Sequence, residues 1–194
     1  HSAFLAPMLA AREIACAAPD YRLAPAARMT DIVADVRQAL AFLWHKAETL
    51  GIDRRRIVVT GSSAGGHLAA ALLQPGWQAG LGLPEQPIAA ALPVSGLFEL
   101  APIAASHVQG WMQFSPAEIA EFSPLLHLPN PVPRLSVVVA EHEVPGFHRQ
   151  SRAYADALSA PYLVGMGRHH FDVVFDLAVA DHPLGQELLR LIAG

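Results

Sequence analysis

Cysteine is all but missing: Cys16 stands alone among 194 residues. No intrachain disulfide can form, so the fold must be held by its core. A reducing, cytoplasmic location is the matching expectation. Cys16 lies in the apolar block Ile14-Ala15-Cys16-Ala17-Ala18 and reads as a small core residue rather than a reactive thiol. Charge is also scarce, at 15% of residues with a net charge of −4. The basic triplet Arg54-Arg55-Arg56 is too short for a phosphate-tracking surface, which argues against a nucleic-acid partner. No apolar run approaches the ~18 residues that a spanning helix needs. The mean hydropathy of +0.31 therefore does not indicate a membrane protein. The opening His1-Ser2-Ala3-Phe4-Leu5 lacks the basic start of a secretory signal. There is no H-E-x-x-H or comparable ligand spacing, so neither a metal nor an organic cofactor is expected.

What is present is an unusually apolar chain, 53% hydrophobic, whose apolar residues come in short blocks separated by Pro, Gly and charge. Such blocks suit strands of a parallel sheet buried on both faces. The pattern predicts strands over 12–19, 56–60, 87–94, 134–140 and 162–164. Helices are predicted over 29–50, 64–73, 147–158 and 183–193. In the first helix Ile32, Val33, Val36, Leu40 and Leu43 form one stripe, Thr30 or Asp31 can cap its start, and Gly51 stands at its end. Strands alternating with helices imply a single α/β domain with a mostly parallel sheet in three αβα layers. Residues 95–133 are irregular and proline-rich, too long for an ordinary connection. They read as a cap-like insertion over a site.

The strongest local signal is Gly61-Ser62-Ser63-Ala64-Gly65. G-x-S-x-G is weak as a pattern. Between a predicted strand and a predicted apolar helix it becomes a candidate nucleophile elbow, with Ser63 on a tight turn above the sheet edge. A helix beginning just after Ser63 aims its free N–H groups at charge developing there, which makes Ala64 N–H a candidate oxyanion donor. A serine nucleophile needs a base, and the base needs an orienting acid. In this type of fold the chain order is Ser, acid, His. Glu141 and Glu143 follow the 134–140 strand, and His169 and His170 follow the 162–164 strand. The order is correct, and spacing alone leaves both pairs open.

Longer motifs add a resemblance. Asp20-Tyr21-Arg22-Leu23-Ala24-Pro25, Gly61 to His67, Ser95-Gly96-Leu97-Phe98-Glu99-Leu100, Ser123-Pro124-Leu125, Glu143 to Ser151 and His170-Phe171-Asp172-Val173-Val174 run along nearly the whole chain. Together they resemble the arylformamidase (kynurenine formamidase) branch of the α/β-hydrolases, close to the hormone-sensitive-lipase-like esterases. The resemblance implies the α/β-hydrolase fold, with His170 as base and Glu143 as acid, although many relatives carry Asp there. It also implies that the family's H-G-G-x-W oxyanion loop and first strands should precede this region. Nothing like that loop occurs, so the expectation is a fold lacking its N-terminal strands, with His1 to Leu5 looking like the helix just after the loop.

The function so implied is hydrolysis of an aryl formamide, N-formyl-kynurenine, through an acyl-enzyme. Trp111 and Phe147 are candidate substrate-binding residues that could stack on an aromatic ring. Gly66 and His67 are expected to serve the elbow and its packing. The partner is a small acyl or formamide substrate, with no membrane partner, and a homodimer is an expectation of the fold. Two rivals stand beside this reading: a short-chain carboxylesterase and a non-catalytic hydrolase-fold binding protein.

Overall fold

A computed structural model describes residues 3–194. In chain order the elements are α1 (Ala6–Ala10), α2 (Met29–Leu50), β1 (Val58–Ser62), α3 (Ala64–Leu73), β2 (Ala90–Val94), α4 (Ala101–Ala104), α5 (Gln109–Met112), α6 (Pro116–Glu121), β3 (Arg134–Leu135), β4 (Val137–His142), α7 (Pro145–Ala157), β5 (Tyr162–His169) and α8 (Pro183–Ala193). The strands form one sheet in the order β1-β2-β4-β5, with β3 also on β2, and every pairing is parallel.

Alternation along the strands builds two cores. Ala90, Leu92, Val94, Val138 and Ala140 join Leu5, Leu9 of α1, and Leu184, Leu188 and Leu191 of α8 on one face. Ala91, Leu135 and Val137 face the other way, onto Ile32, Val33, Val36 and Leu40 of α2, Leu68 and Leu72 of α3, and Tyr154 of α7. The result is three layers, helix–sheet–helix. Helices α2 and α8 each contribute one apolar stripe, as the 3.6-residue period requires, while α3 is buried all along from Gly66 to Leu73. A parallel sheet directs its catalytic loops to the carboxyl ends of the strands, and here those ends carry Ser63, Ser95, Glu143 and His170.

Helices α2, α3 and α8 have the predicted boundaries. Several strand boundaries differ. Asp53 accepts from Arg55 N–H and winds Arg54–Arg56 into a 3₁₀ turn, which delays β1 to Val58. The third predicted strand begins at Ala90 rather than at Pro87, whose nitrogen has no proton for a ladder. Strand β5 runs to His169, well beyond the 162–164 prediction. At the start of α2, the Asp31 carboxylate accepts Arg28 N–H at 2.9 Å and so performs the capping.

Two expectations fail. Residues 12–19 form no strand; they pair with no other strand among the described residues, and extended backbone without a ladder is not a β-strand. Cys16 is consequently exposed rather than in the core. The five-residue apolar block carries strand composition, but its neighbours do not cover it. His1 and Ser2, the start of the segment compared with a post-loop helix, lie outside the described residues; Ala6–Ala10 is helical. Within 95–133 there are three short helices, α4 to α6. Glu118 fastens them to the body: buried, it accepts from Arg28 at 2.6 Å and from Ser115.

Candidate active site

Ser63 sits between β1 and α3 with φ 58° and ψ −115°, a region that a non-glycine residue occupies only when its surroundings enforce it. The neighbours explain the sequence. A Cβ on Gly61 would lie 2.5 Å from the carbonyl oxygen of Gly65, and one on Gly66 would lie 2.6 Å from that of Val94. The strand and the helix approach too closely at these two points for any side chain. Ser63 N–H is committed to Val94 O at 2.9 Å. Ala64 N–H opens the helix and has no intrahelical acceptor, so it is the elbow donor left free to meet an oxyanion.

His170 follows β5 and brings Nε2 to 2.9 Å from Ser63 Oγ. Its Nδ1 lies 2.9 Å from Oε2 of Glu143. The Glu143 side chain is 0% exposed and that of His170 is 22% exposed. Burial alone would push the Glu143 carboxyl up. Hydrogen bonds from His170 and Ser95 outweigh burial and hold it below the usual carboxylate range. An ionised Glu143 only accepts, so Nδ1 carries the imidazole proton and Nε2 is left as acceptor for the Ser63 hydroxyl. That is the tautomer a general base requires.

The alternative acid is engaged elsewhere: Glu141 Oε2 accepts Gly167 N–H at 2.6 Å and ties the end of β4 to β5. His169 likewise turns away, toward Asp172 at 3.2 Å. Phe147, at the start of α7, lies 4.5 Å from the His170 ring, tilted by 41°. Trp111 is on α5, 44% exposed, and its aromatic neighbour is His107 at 5.4 Å. The structure therefore brings Phe147 to the base, while Trp111 makes no aromatic contact with His170. Gly66 and His67 lie under the elbow. His67 is buried, with Nδ1 2.7 Å from Leu97 O.

Two residues at the site escaped the sequence reading of roles. Phe171 stands edge-on to His170 at 5.2 Å and is 79% exposed. Ser95, fully buried at the end of β2, donates its hydroxyl to Glu143 Oε1. The available signal was its position: a polar residue closing an apolar parallel strand, followed at once by glycine. Among the described residues no group of three or more His, Cys, Asp or Glu side chains is arranged to hold a metal. No helix among the described residues is long and apolar enough to cross a membrane.

Comparison with known proteins agrees with this architecture. The BD-FAE family model matches residues 3–75. The kynurenine formamidase of Salmo salar is 28% identical over 98% of this chain and 67% of its own length. A candidate thioesterase from Silicibacter sp. superposes with a TM-score of 0.79 at 27% identity, over 98% of this chain and 68% of that one. The chain has the α/β-hydrolase fold. An esterase of Pyrobaculum calidifontis, 20% identical, has the same fold, with a TM-score of 0.76 over 99% of this chain and 68% of that one. The chain thus spans about two thirds of the length of those proteins.

Proposed function

We propose that this α/β-hydrolase is a serine hydrolase that cleaves an aryl formamide through a covalent acyl-enzyme. The observation carrying the proposal is the continuous hydrogen-bonded line Ser63–His170–Glu143 at the carboxyl edge of the sheet. In this mechanism His170 Nε2 takes the Ser63 proton as Oγ attacks the substrate carbonyl. Glu143 fixes the imidazole tautomer and stabilises the imidazolium. Ala64 N–H donates to the developing oxyanion. His170 then protonates the departing nitrogen, and in the second half-reaction it activates water against the acyl-serine.

The formamide reading rests on the kinship with kynurenine formamidases along nearly the whole chain. It makes N-formyl-kynurenine the substrate, formyl the acyl group and an aniline the leaving group. Phe147, half-buried beside the base, offers a surface on which an aromatic ring can stack. A second reading, a short-chain carboxylesterase, is favoured by the esterases among the relatives and structural neighbours. It uses the same three residues and differs in the leaving group.

The test is hydrolysis of N-formyl-kynurenine beside a short-chain aryl ester by the full chain, with Ser63→Ala as control. The expected result is a higher kcat/KM on the formamide, abolished by Ser63→Ala. Turnover of the ester alone would give the second reading. A folded protein inactive on both would overturn the catalytic assignment in favour of a binding role.

A further inference from the structure

The segment that leaves β2 is held more tightly than a connecting loop requires. Ser95 has φ 46°, a left-handed conformation that a residue bearing a Cβ adopts rarely, and it is fully buried. Its N–H donates to Val138 O at 2.8 Å, continuing the ladder to β4. The next residues are clamped from three sides. Leu97 O takes His67 Nδ1 at 2.7 Å. The N–H groups of Phe98 and Glu99 both donate to Gln150 Oε1, at 2.7 and 2.8 Å. Leu100 N–H donates to Ser123 Oγ at 3.0 Å. The elbow helix, α7 and the cap thus jointly enforce the unusual backbone at Ser95. Such strain persists where its surroundings over-determine it, and it concentrates at functional sites.

That conformation points the hydroxyl at Glu143. The carboxylate has two oxygens with separate partners: Oε2 faces His170 Nδ1 and Oε1 accepts from Ser95. Ala140 N–H stands farther from Oε1, at 3.5 Å. A glutamate has one more rotatable bond than an aspartate, so a single hydrogen bond to His170 leaves its carboxylate free to pivot. A second donor, fixed on a different strand, removes that freedom and favours the ionised form. We infer that Ser95 is a positioning residue for Glu143: its buried hydroxyl anchors Oε1, so that Oε2 is presented to His170. The inference rests on the catalytic reading above and adds a fourth member, acting through the acid.

The test uses Ser95→Ala and Ser95→Gly together. Both remove the hydroxyl. Glycine accepts φ 46° freely, so Ser95→Gly should fold at least as well as the parent and separates backbone strain from the hydrogen bond. Both variants are expected to lose about 10- to 100-fold in kcat, the scale typical of removing an outer partner of a functional ligand, with KM little changed. The acidic limb of kcat/KM should move to higher pH, because Glu143 has lost a donor to its charged form. A merely structural role would lower activity in step with the folded fraction and leave the limb in place. Parent kcat and an unmoved limb in a folded Ser95→Gly would overturn the inference. Ser63→Ala and Glu143→Gln, assayed on the same ester and formamide, distinguish this failure from failure of the catalytic reading. If those two variants also retain activity, the triad assignment is what falls.

Discussion

Phe147 lies 4.5 Å from the ring of His170, close enough for the first turn of α7 to form one wall of the space above the base. That wall can serve substrate or imidazole. The two roles separate by substrate. Phe147→Ala is expected to lower kcat/KM on an aryl substrate by about tenfold, the worth of one good aromatic contact. A short alkyl ester should lose much less. Parallel kcat/KM measurements check this; an equal loss on both would show that Phe147 acts on the base alone.

Glu143→Gln should be nearly dead and yet folded. A buried amide can donate to Nδ1, which moves the imidazole proton to Nε2 and turns it toward Ser63. A fall in kcat of roughly 10²–10⁴ follows by analogy with other triads so altered. The same residue carries a pH signature in stability. Its carboxyl is depressed in the folded chain, so its contribution is present above the ordinary carboxylate range and is lost as pH falls through the folded value. Urea unfolding of parent and Glu143→Gln should converge as pH drops from 7 toward 3; a constant gap would refute the assignment.

Much of this site was legible in the chain, for a definable reason. The elbow, the helix after it and the order Ser, acid, His are local or ordinal features, and strand ends in a parallel sheet converge whatever the loop details. Choosing Glu143 over Glu141 needed a family resemblance, because both carboxylates follow the predicted 134–140 strand and only the third dimension shows Glu141 bound to Gly167. Ser95 could not be assigned a role from sequence, since its partner is 48 residues away and its backbone conformation depends on three elements packed around it. The failure at Cys16 has the opposite origin: an apolar block declares a preference for burial but cannot supply the neighbours that would cover it.

Glu118 pins the 95–133 region to α2, and its removal should loosen that region before the rest of the fold. Burial opposes its charge, but hydrogen bonds from Arg28, Ser115 and Thr30 prevail and bring its pKa down to about 2. Breaking a buried pair by removing one partner is costly, though the exposed side of Arg28 discounts the Coulombic part. Glu118→Gln is expected to cost about 1–3 kcal/mol at pH 7. For a depressed carboxyl the stabilisation is complete above the unfolded value near 4.5 and disappears as pH falls toward 2. Amide hydrogen exchange should show faster opening of residues 101–121 in the variant, with the sheet amides unchanged; uniform acceleration throughout would show that the cap and body unfold as one unit.

His67 gives the remaining prediction, and its sign is unusual for a histidine. Its Nδ1 faces the Leu97 carbonyl and must carry the proton, which leaves Nε2 buried with no partner among the described residues. Protonating Nε2 would put an unpaired charge under the elbow, so burial drives the imidazole down to about 4, against the smaller pull of the Leu97 hydrogen bond. The unfolded chain binds this proton near pH 6.5 while the folded chain refuses it down to about pH 4. Stability is therefore unaffected above 6.5 and declines as pH falls across that window, by up to about 1.4 kcal/mol per pH unit for one proton. His67→Asn keeps a donor for Leu97 O and cannot titrate. Its unfolding free energy, although lower at pH 7 because the smaller side chain leaves space, should fall less steeply between pH 6.5 and 4 than that of the parent. Equal slopes would mean that His67 takes up a proton in the folded state, and that the space beneath Ser63 admits water to accompany it.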